Sequence, residues 1–463
     1  MSVKILFIYK YAFIEPLGIM SLSSFLKKNG HECYFLDVKF EKNLFEEVKK
    51  ISPDIIAYSI TTGEHKFYKD LNLNLKKRFK FFSVFGGPHA TFFPEFIHEE
   101  GVDAICKGEA ELAFLEFINC FEKKKNLTKI KNFWVKIDGK VYKNEVRPLI
   151  EDLDSLPFPD RQLVNKYQHY RDVHRKYILT GRGCPYNCTY CFNNSYNKLY
   201  EHKGKVIRKR SVNSVIEELK FIKRNYKTKI FHFVDDTFIL DSKWTLEFCN
   251  RYKREIDMPF IVNVRVNLIT EEIVKALKEA GCITVSYALE SGNDVLRNQV
   301  LRRNLSKEQI IFASNLFKKY KLKTYVNNMV GLPDETLDMV YETINLNLKC
   351  KSTYAWVSLF QPYPRTQLSE YSKEKGYYSG DTNSFPDSFY TKSVMKMKDI
   401  DKISRLHHLF PIAITFPFLI PLTKFLIKLP LDNIYYLLWN SHRAFYYLFI
   451  VKWMDPRVLL MSE

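Results

Sequence analysis

Cysteine is scarce in this chain: nine residues in 463, six of them isolated in the sequence. A disulfide scaffold is therefore excluded, and with no charged-then-apolar stretch at the start the expected compartment is the reducing cytoplasm. Long apolar runs are missing too. The charge-free stretch 409–423 falls short of the roughly 20 residues a spanning helix needs, and Pro411, Pro417 and Pro421 would interrupt it. Acidic residues are under-represented, 52 against 71 Lys and Arg, for a net charge of +19. The excess is spread over the surface positions of most expected helices, and its densest patch, 203–229, interleaves Glu217 and Glu218. A solvated basic face follows, then a charged substrate or an anionic membrane surface; nucleic acid is not an expected partner.

What the chain does have is 46% apolar and 15% aromatic content, enough for two or three cores, and one dense motif. Gly181-Arg182-Gly183-Cys184-Pro185-Tyr186-Asn187-Cys188-Thr189-Tyr190-Cys191-Phe192 carries three cysteines at spacing C-x3-C-x2-C. A cubane iron-sulfur cluster normally takes four thiolates, so three leave one iron open to the amine and carboxylate of a small molecule. A zinc loop is the alternative. It would need a second pair of ligands, and His169, His174 and His202 are the near candidates. With its apolar strand at 177–180 and Tyr190 before the last cysteine, the loop resembles the signature of the radical S-adenosylmethionine (radical SAM) superfamily. The resemblance implies a [4Fe-4S] cluster on Cys184, Cys188 and Cys191, with SAM on the open iron.

Upstream, apolar strands at 3–9, 32–37, 54–59, 81–85 and 104–106 alternate mostly with helix-length segments, which predicts a doubly wound parallel sheet. Ligands bind such sheets beyond the carboxyl ends of the strands. Three strings fall there: Ser59-Ile-Thr-Thr62-Gly63, Gly86-Gly87-Pro88-His89-Ala-Thr91 and Lys107-Gly108-Glu109-Ala-Glu111. Glycines let a bulky ligand approach and hydroxyls can bond to it, although Gly-Gly-Pro is also an ordinary turn. In order and pattern the strings resemble the cobalamin-binding domain that precedes many radical SAM domains. That implies cobalamin contacts from Ser59, Thr62, Gly86, Gly87, His89, Gly108 and Glu109. Asp-x-His-x-x-Gly, which supplies a cobalt ligand in methionine-synthase-like modules, does not occur: Asp172-Val173-His174 is followed by Tyr177 where glycine is required. His89 is then a loop-packing or tail-contacting residue.

A hairpin over 133–142, turning at Asp138-Gly139, and a proline-bearing linker at 153–161 lead into a second strand-helix alternation. Six strands, at 177–180, 230–234, 260–264, 283–289, 324–330 and 354–359, suggest an open (β/α)6 barrel with its active site at the strand ends. The family resemblance places Asp235 and Asp236 at the SAM amino group, Glu290 and Ser291 beside SAM, and the backbone of Gly331 at adenine. Arg265, at the end of its strand, could pair with the SAM carboxylate. For each the plain alternative is a loop cap, a surface ion pair or a turn. Pro362-Tyr363-Pro364-Arg365-Thr366 resembles a Pro-Tyr-Pro-Gly-Thr string with Arg365 for glycine, which removes conformational freedom.

The expected organisation is α/β: a cobalamin-binding-like domain (1–130), hairpin and linker (131–174), a partial radical SAM barrel (175–375) and a helical apolar C-terminal region (376–463). In that last part 409–453 mixes apolar residues with Lys424, Lys428, Arg443 and aromatic rings, as does a segment lying on a membrane inner face or packed over the barrel. The resemblance implies reductive cleavage of SAM and attack on an unactivated carbon, with cobalamin-dependent methyl transfer foremost. Cyclisation, rearrangement or oxidation, with or without cobalamin, stay open, as does a nucleic-acid-binding protein with a structural metal. Partners would be a small or lipid-like substrate and an electron donor such as flavodoxin or ferredoxin.

Overall fold

The computed structural model describes residues 2–10, 14–386, 390 and 392–450; the end of the 409–453 segment lies outside them. The chain folds as two compact units, one of residues up to Asp172 with Tyr196–Arg208, the other of Val173–Ser195 and the chain from Lys209 onward.

In the first unit, β1 (Lys4–Tyr9) is apolar at nearly every position because both its faces are covered. Ile5 and Phe7 enter one core with Phe114 and Phe117, while Leu6 and Ile8 enter the other with Tyr58 and Phe85. Parallel strands β2 (Glu32–Asp37), β3 (Ile55–Ser59), β4 (Phe82–Gly86) and β5 (Ala104–Cys106) flank it in the order β2-β1-β3-β4-β5. The expected hairpin is part of this sheet: β6 (Phe133–Ile137) runs antiparallel to β5 and turns through Asp138 and Gly139, both at positive φ, into β7 (Lys140–Lys143). Nor does the 153–161 stretch run free. Arg161 is buried and bonds Glu15 at 2.7 Å, and the hydroxyl of Tyr170 reaches Asp37 at the end of β2.

The second unit holds six parallel strands in sequential order: β8 (Arg175–Ile178), β9 (Ile230–Phe233), β10 (Phe260–Val264), β11 (Cys282–Glu290), β12 (Lys323–Val330) and β13 (Tyr354–Leu359). Helices α1 (Val212–Asn225), α2 (Ser242–Glu255), α3 (Glu271–Glu279), α4 (Lys307–Lys319) and α5 (Leu337–Cys350) connect them. Each helix begins where a short polar side chain accepts an orphan backbone N–H: Ser211, Asp241, Thr270, Ser306 and Thr336. Each such cap is worth about 1 kcal/mol.

Beyond β13, α6 (Ile400–Thr415) packs Leu406 and Phe410 against Val357 and Ile344. Pro411 does not break this helix as expected; it sits in its fourth turn, one turn after His407, whose buried ring bonds the Val357 carbonyl at 3.1 Å. Pro421 falls in the first turn of α7 (Ile420–Leu426), where proline costs little, and Pro430 precedes α8 (Asp432–Phe445). Among the described residues no helix is long and apolar enough to cross a membrane.

Candidate active site

Past the end of β8 the chain reaches Thr180, whose N–H and hydroxyl both donate to Asp235 beyond β9, at 3.2 and 2.7 Å. Lys209 lies 3.6 Å from the same carboxylate. Asp235 thus braces two strand ends. Its neighbour Asp236 is the freer acid, reachable by solvent yet walled by protein, which pushes its carboxyl up. Its charge also reaches the cysteine loop: after burial, Asp236 is among the groups that raise the thiols of Cys184 and Cys191, the latter to about 11.

Cys188 has a different environment. Two buried guanidiniums aim an Nη1 at its sulfur, Arg265 at 3.8 Å and Arg303 at 3.7 Å. Arg265 also stacks on Tyr186, 3.6 Å from the ring centre, bonds Asn267 at 2.9 Å and donates to the Arg303 carbonyl. It therefore clamps the loop from strand β10, where the sequence suggests a partner for the SAM carboxylate. Arg303 donates to the Tyr190 hydroxyl at 3.1 Å, and that hydroxyl donates to Glu290 at 2.8 Å. Burial opposes the Arg303 charge, but Tyr190, Glu290 and Cys188 outweigh it and hold the guanidinium charged. Glu290 reaches Tyr190 from strained backbone, φ +65, just after a register shift between β11 and β12. Burial pushes its carboxyl up, against the pull of Arg303 and Tyr190.

Ser291 and Gly292 serve packing. The Ser291 hydroxyl accepts the Asn293 N–H, and a Cβ on Gly292 would lie 2.3 Å from the Glu342 carbonyl of α5. Gly331, at φ +77, donates its N–H to Glu335 at 2.6 Å, and Leu332 adds a second bond at 3.2 Å. Glu335 is buried, its other oxygen has no hydrogen-bond partner among the described residues, and burial pushes its carboxyl up to about 8. Arg365 itself takes the left-handed conformation that glycine favours, φ +64.

In the first unit, Ser59, Thr62, Gly86, Gly87 and His89 come together at the ends of β3 and β4. Thr62 Oγ1 lies 3.0 Å from His89 Nδ1, and the His89 ring is stacked on His65 and Phe93. Burial, helped by His65, pushes that imidazole down to about 3, so His89 is neutral and packed in the loop, as the sequence suggests. Gly87, at φ +85, is required by the protein itself, since a Cβ would fall 2.8 Å from the Ile60 nitrogen. Gly86 differs: a Cβ there would meet only two carbonyls, at 3.8 and 3.9 Å. At the end of β5 a Cβ on Gly108 would overlap the Tyr200 hydroxyl, and the Glu109 carboxylate is held by Arg208 at 2.8 and 3.0 Å. Gly108 and Glu109 thus hold the loop to residues of their own unit.

Arg303 and Glu335 escape sequence reasoning. Arg303 is one of two adjacent arginines outside any strand, and Glu335 looks like an ordinary acid just ahead of the following helix; their burial is a property of the fold.

Three thiols on one loop suit a cubane cluster with one open iron. A structural zinc ion normally takes four ligands, one more than this loop supplies. At the other face, the missing side chain at Gly86, beside Ser59 and Thr62, fits the close approach of a bulky flat group such as a corrin.

Comparison with known proteins agrees. The radical SAM superfamily model matches residues 178–346 and the B12 binding domain model residues 3–118. An uncharacterized methyltransferase of Pyrococcus horikoshii is 34% identical over 372 residues, 77% of this chain and 78% of that protein. An anaerobic magnesium-protoporphyrin IX monomethyl ester cyclase of Rubrivivax gelatinosus is 25% identical over 76% of this chain and 65% of its own length. Among solved structures, the radical SAM methyltransferase TsrM of Kitasatospora setae, with cobalamin and a [4Fe-4S] cluster bound, shares the fold at TM-score 0.67 and 17% identity, covering 81% of this chain and 75% of that one. The chain therefore belongs to the radical SAM enzymes that carry a B12-binding domain, with a [4Fe-4S] cluster, SAM and cobalamin as cofactors.

Proposed function

We propose that this enzyme transfers a methyl group from SAM, by way of cobalamin, to an unactivated carbon of a small organic molecule. The observation that carries the reading is the pairing, in one chain, of a B12-type strand-end face at Gly86 and a three-cysteine loop on a partial barrel. Its relationship to the Pyrococcus methyltransferase supports the choice of methyl transfer.

In this reading Cys184, Cys188 and Cys191 hold the cluster, and Asp236, Glu290 and the Gly331 backbone line the SAM side. Arg265 and Arg303 fix the loop through Cys188, Tyr186 and Tyr190. Ser59, Thr62 and Gly86 contact the corrinoid, and His89 and Gly87 shape the loop beneath it. When bound, the cluster supplies the electron that splits SAM into methionine and a 5′-deoxyadenosyl radical, and cobalamin supplies the metal that carries the methyl group. The electron enters from a donor of flavodoxin or ferredoxin type. A lipid-like substrate is the finer reading of the apolar C-terminal helices.

The test needs no substrate. Anaerobically reconstituted protein, given cobalamin, SAM and a low-potential reductant, should form S-adenosylhomocysteine as well as 5′-deoxyadenosine. Formation of 5′-deoxyadenosine alone, with corrinoid bound, would replace methyl transfer by a non-methylating reaction such as the cyclisation named in the Rubrivivax relative.

A further inference from the structure

Helix α8 is apolar on two faces. One, with Tyr435 and Trp439, is 1% exposed and packs on the second unit's C-terminal core. The other, Ile434, Leu437, Leu438 and Phe445, recurs at helical spacing and faces solvent, Leu437 at 66%. Beside it in sequence, Phe418 is 76% exposed, and α7 turns out Leu422 and Phe425. Of the nineteen large apolar side chains exposed among the described residues, eleven fall within 416–449. Such concentration marks a contact surface, since single exposed apolar residues are ordinary but a contiguous set is not.

The charges select the partner. Between 416 and 450 the charged residues are Lys424, Lys428, Asp432 and Arg443. Asp432 pairs with Arg405, and Arg443 lies over the Trp439 ring. Lys424 and Lys428 are exposed and, among the described residues, form no ion pair, although the Lys424 ammonium lies 5.0 Å over the Tyr341 ring. A two-fold contact between copies of this face would set these lysines against themselves. An anionic bilayer instead accepts the apolar stripe at the headgroup boundary and neutralises both lysines, whose long stems let the charges stay wet.

We propose that α7 and α8 form a peripheral docking surface for anionic membrane. It is independent of the catalytic reading, so either can fail alone. Full-length reconstituted protein is sedimented with vesicles of phosphatidylcholine alone or with about a third phosphatidylglycerol. The expected result is binding to the anionic vesicles, at least tenfold weaker to neutral ones, and several-fold weaker at 0.5 M salt, where screening is within about 5 Å. F425S/L437S should lose binding at both salt levels, and K424E/K428E should lose the anionic preference. Both variants change exposed side chains, so iron content and thermal melting should stay those of the parent. The proposal is overturned if the parent stays in the supernatant with anionic vesicles at low salt. It is equally overturned if the parent sediments as a dimer that F425S/L437S splits, or if vesicles bind only after residues 451–463 are removed, since the face is then covered by a second copy or by the chain's own end.

Discussion

The carboxyl ends of the two sheets are built in opposite ways. In the first unit the ends of β3 and β4 present backbone and neutral side chains, Gly86 bare, Gly87 fixed by internal contacts and Thr62 on an uncharged His89, and the charge at the end of β5, Glu109, is already paired with Arg208. In the second, Arg265 and Arg303 are buried cations on Cys188 and Glu290 is a buried acid on Tyr190, while Asp236 is a solvent-reached acid whose charge bears on the thiols and Glu335 under Gly331 keeps its proton up to about pH 8. A large neutral ring system is held by shape, and shape needs room more than charge. A small zwitterion and an anionic cluster are held by charge placed in low dielectric.

The largest effect that separates the two faces is loss of one cofactor with the other retained. Replacing Cys184, Cys188 and Cys191 by alanine should reduce reconstituted iron and sulfide to background while corrinoid absorbance persists. Gly86→Val should do the converse, because the nearest protein atom to a Cβ there is 3.8 Å away and the added bulk takes up room that a corrin needs. Gly87→Val is the contrasting control. It places a β-branched residue at φ +85 and a Cβ against Ile60, so the first unit itself should lose roughly 2–4 kcal/mol in denaturant unfolding. Parallel loss of iron and corrinoid in Gly86→Val would dissolve the contrast.

A second test is pH. His89 is pushed down to about 3 by burial, so the first face has no charge change there between pH 5 and 9. Glu335 is pushed up to about 8 from an ordinary value near 4.5. The folded second unit therefore holds a proton that the unfolded chain releases across that interval, and its stability should fall as pH rises from about 4.5 to about 8. Glu335→Gln keeps an oxygen for the Gly331 and Leu332 N–H groups without the charge. The variant should match the parent at pH 5 and exceed it at pH 9 by on the order of 2–4 kcal/mol, read by urea unfolding of the second unit. Equal pH dependence in both proteins would remove Glu335 as its source.

Strands and helices of both units were legible because apolar period and caps are local properties. β1 reads as a buried strand from its run of apolar residues. The cysteine loop was legible for the same reason, its three donors lying within eight residues. What the sequence could not say is which member of a motif is free. Asp235 and Asp236 are chemically equal as text, and only the fold gives Thr180 to the first. Gly86 and Gly87 are likewise adjacent, yet one is empty on its Cβ side and the other is wedged against Ile60. Long-range partners such as Arg208 for Glu109 and Arg303 for Tyr190, 99 and 113 residues apart, leave no local trace at all.

The smallest effect bears on the two arginines at Cys188. A cation and an N–H···S bond both favour the more negative, reduced state of a cluster, so removing one lowers its potential. With the bond worth about 1 kcal/mol, one electron's potential should drop by roughly 40 mV. Arg303→Gln should show this in a potentiometric titration followed by electron paramagnetic resonance, with iron content unchanged. Because the substitution also strips Glu290 and Tyr190 of their buried cation, Arg303→Lys is the necessary companion. Lysine retains the charge but not the fork that reaches the Ala288 carbonyl at 2.7 Å as well as the sulfur, so part of the potential should return while some stability stays lost. If the potential is the same in the parent and both variants, Arg303 acts only by anchoring Tyr190 and Glu290, and the electrostatic half of the contrast narrows to Arg265.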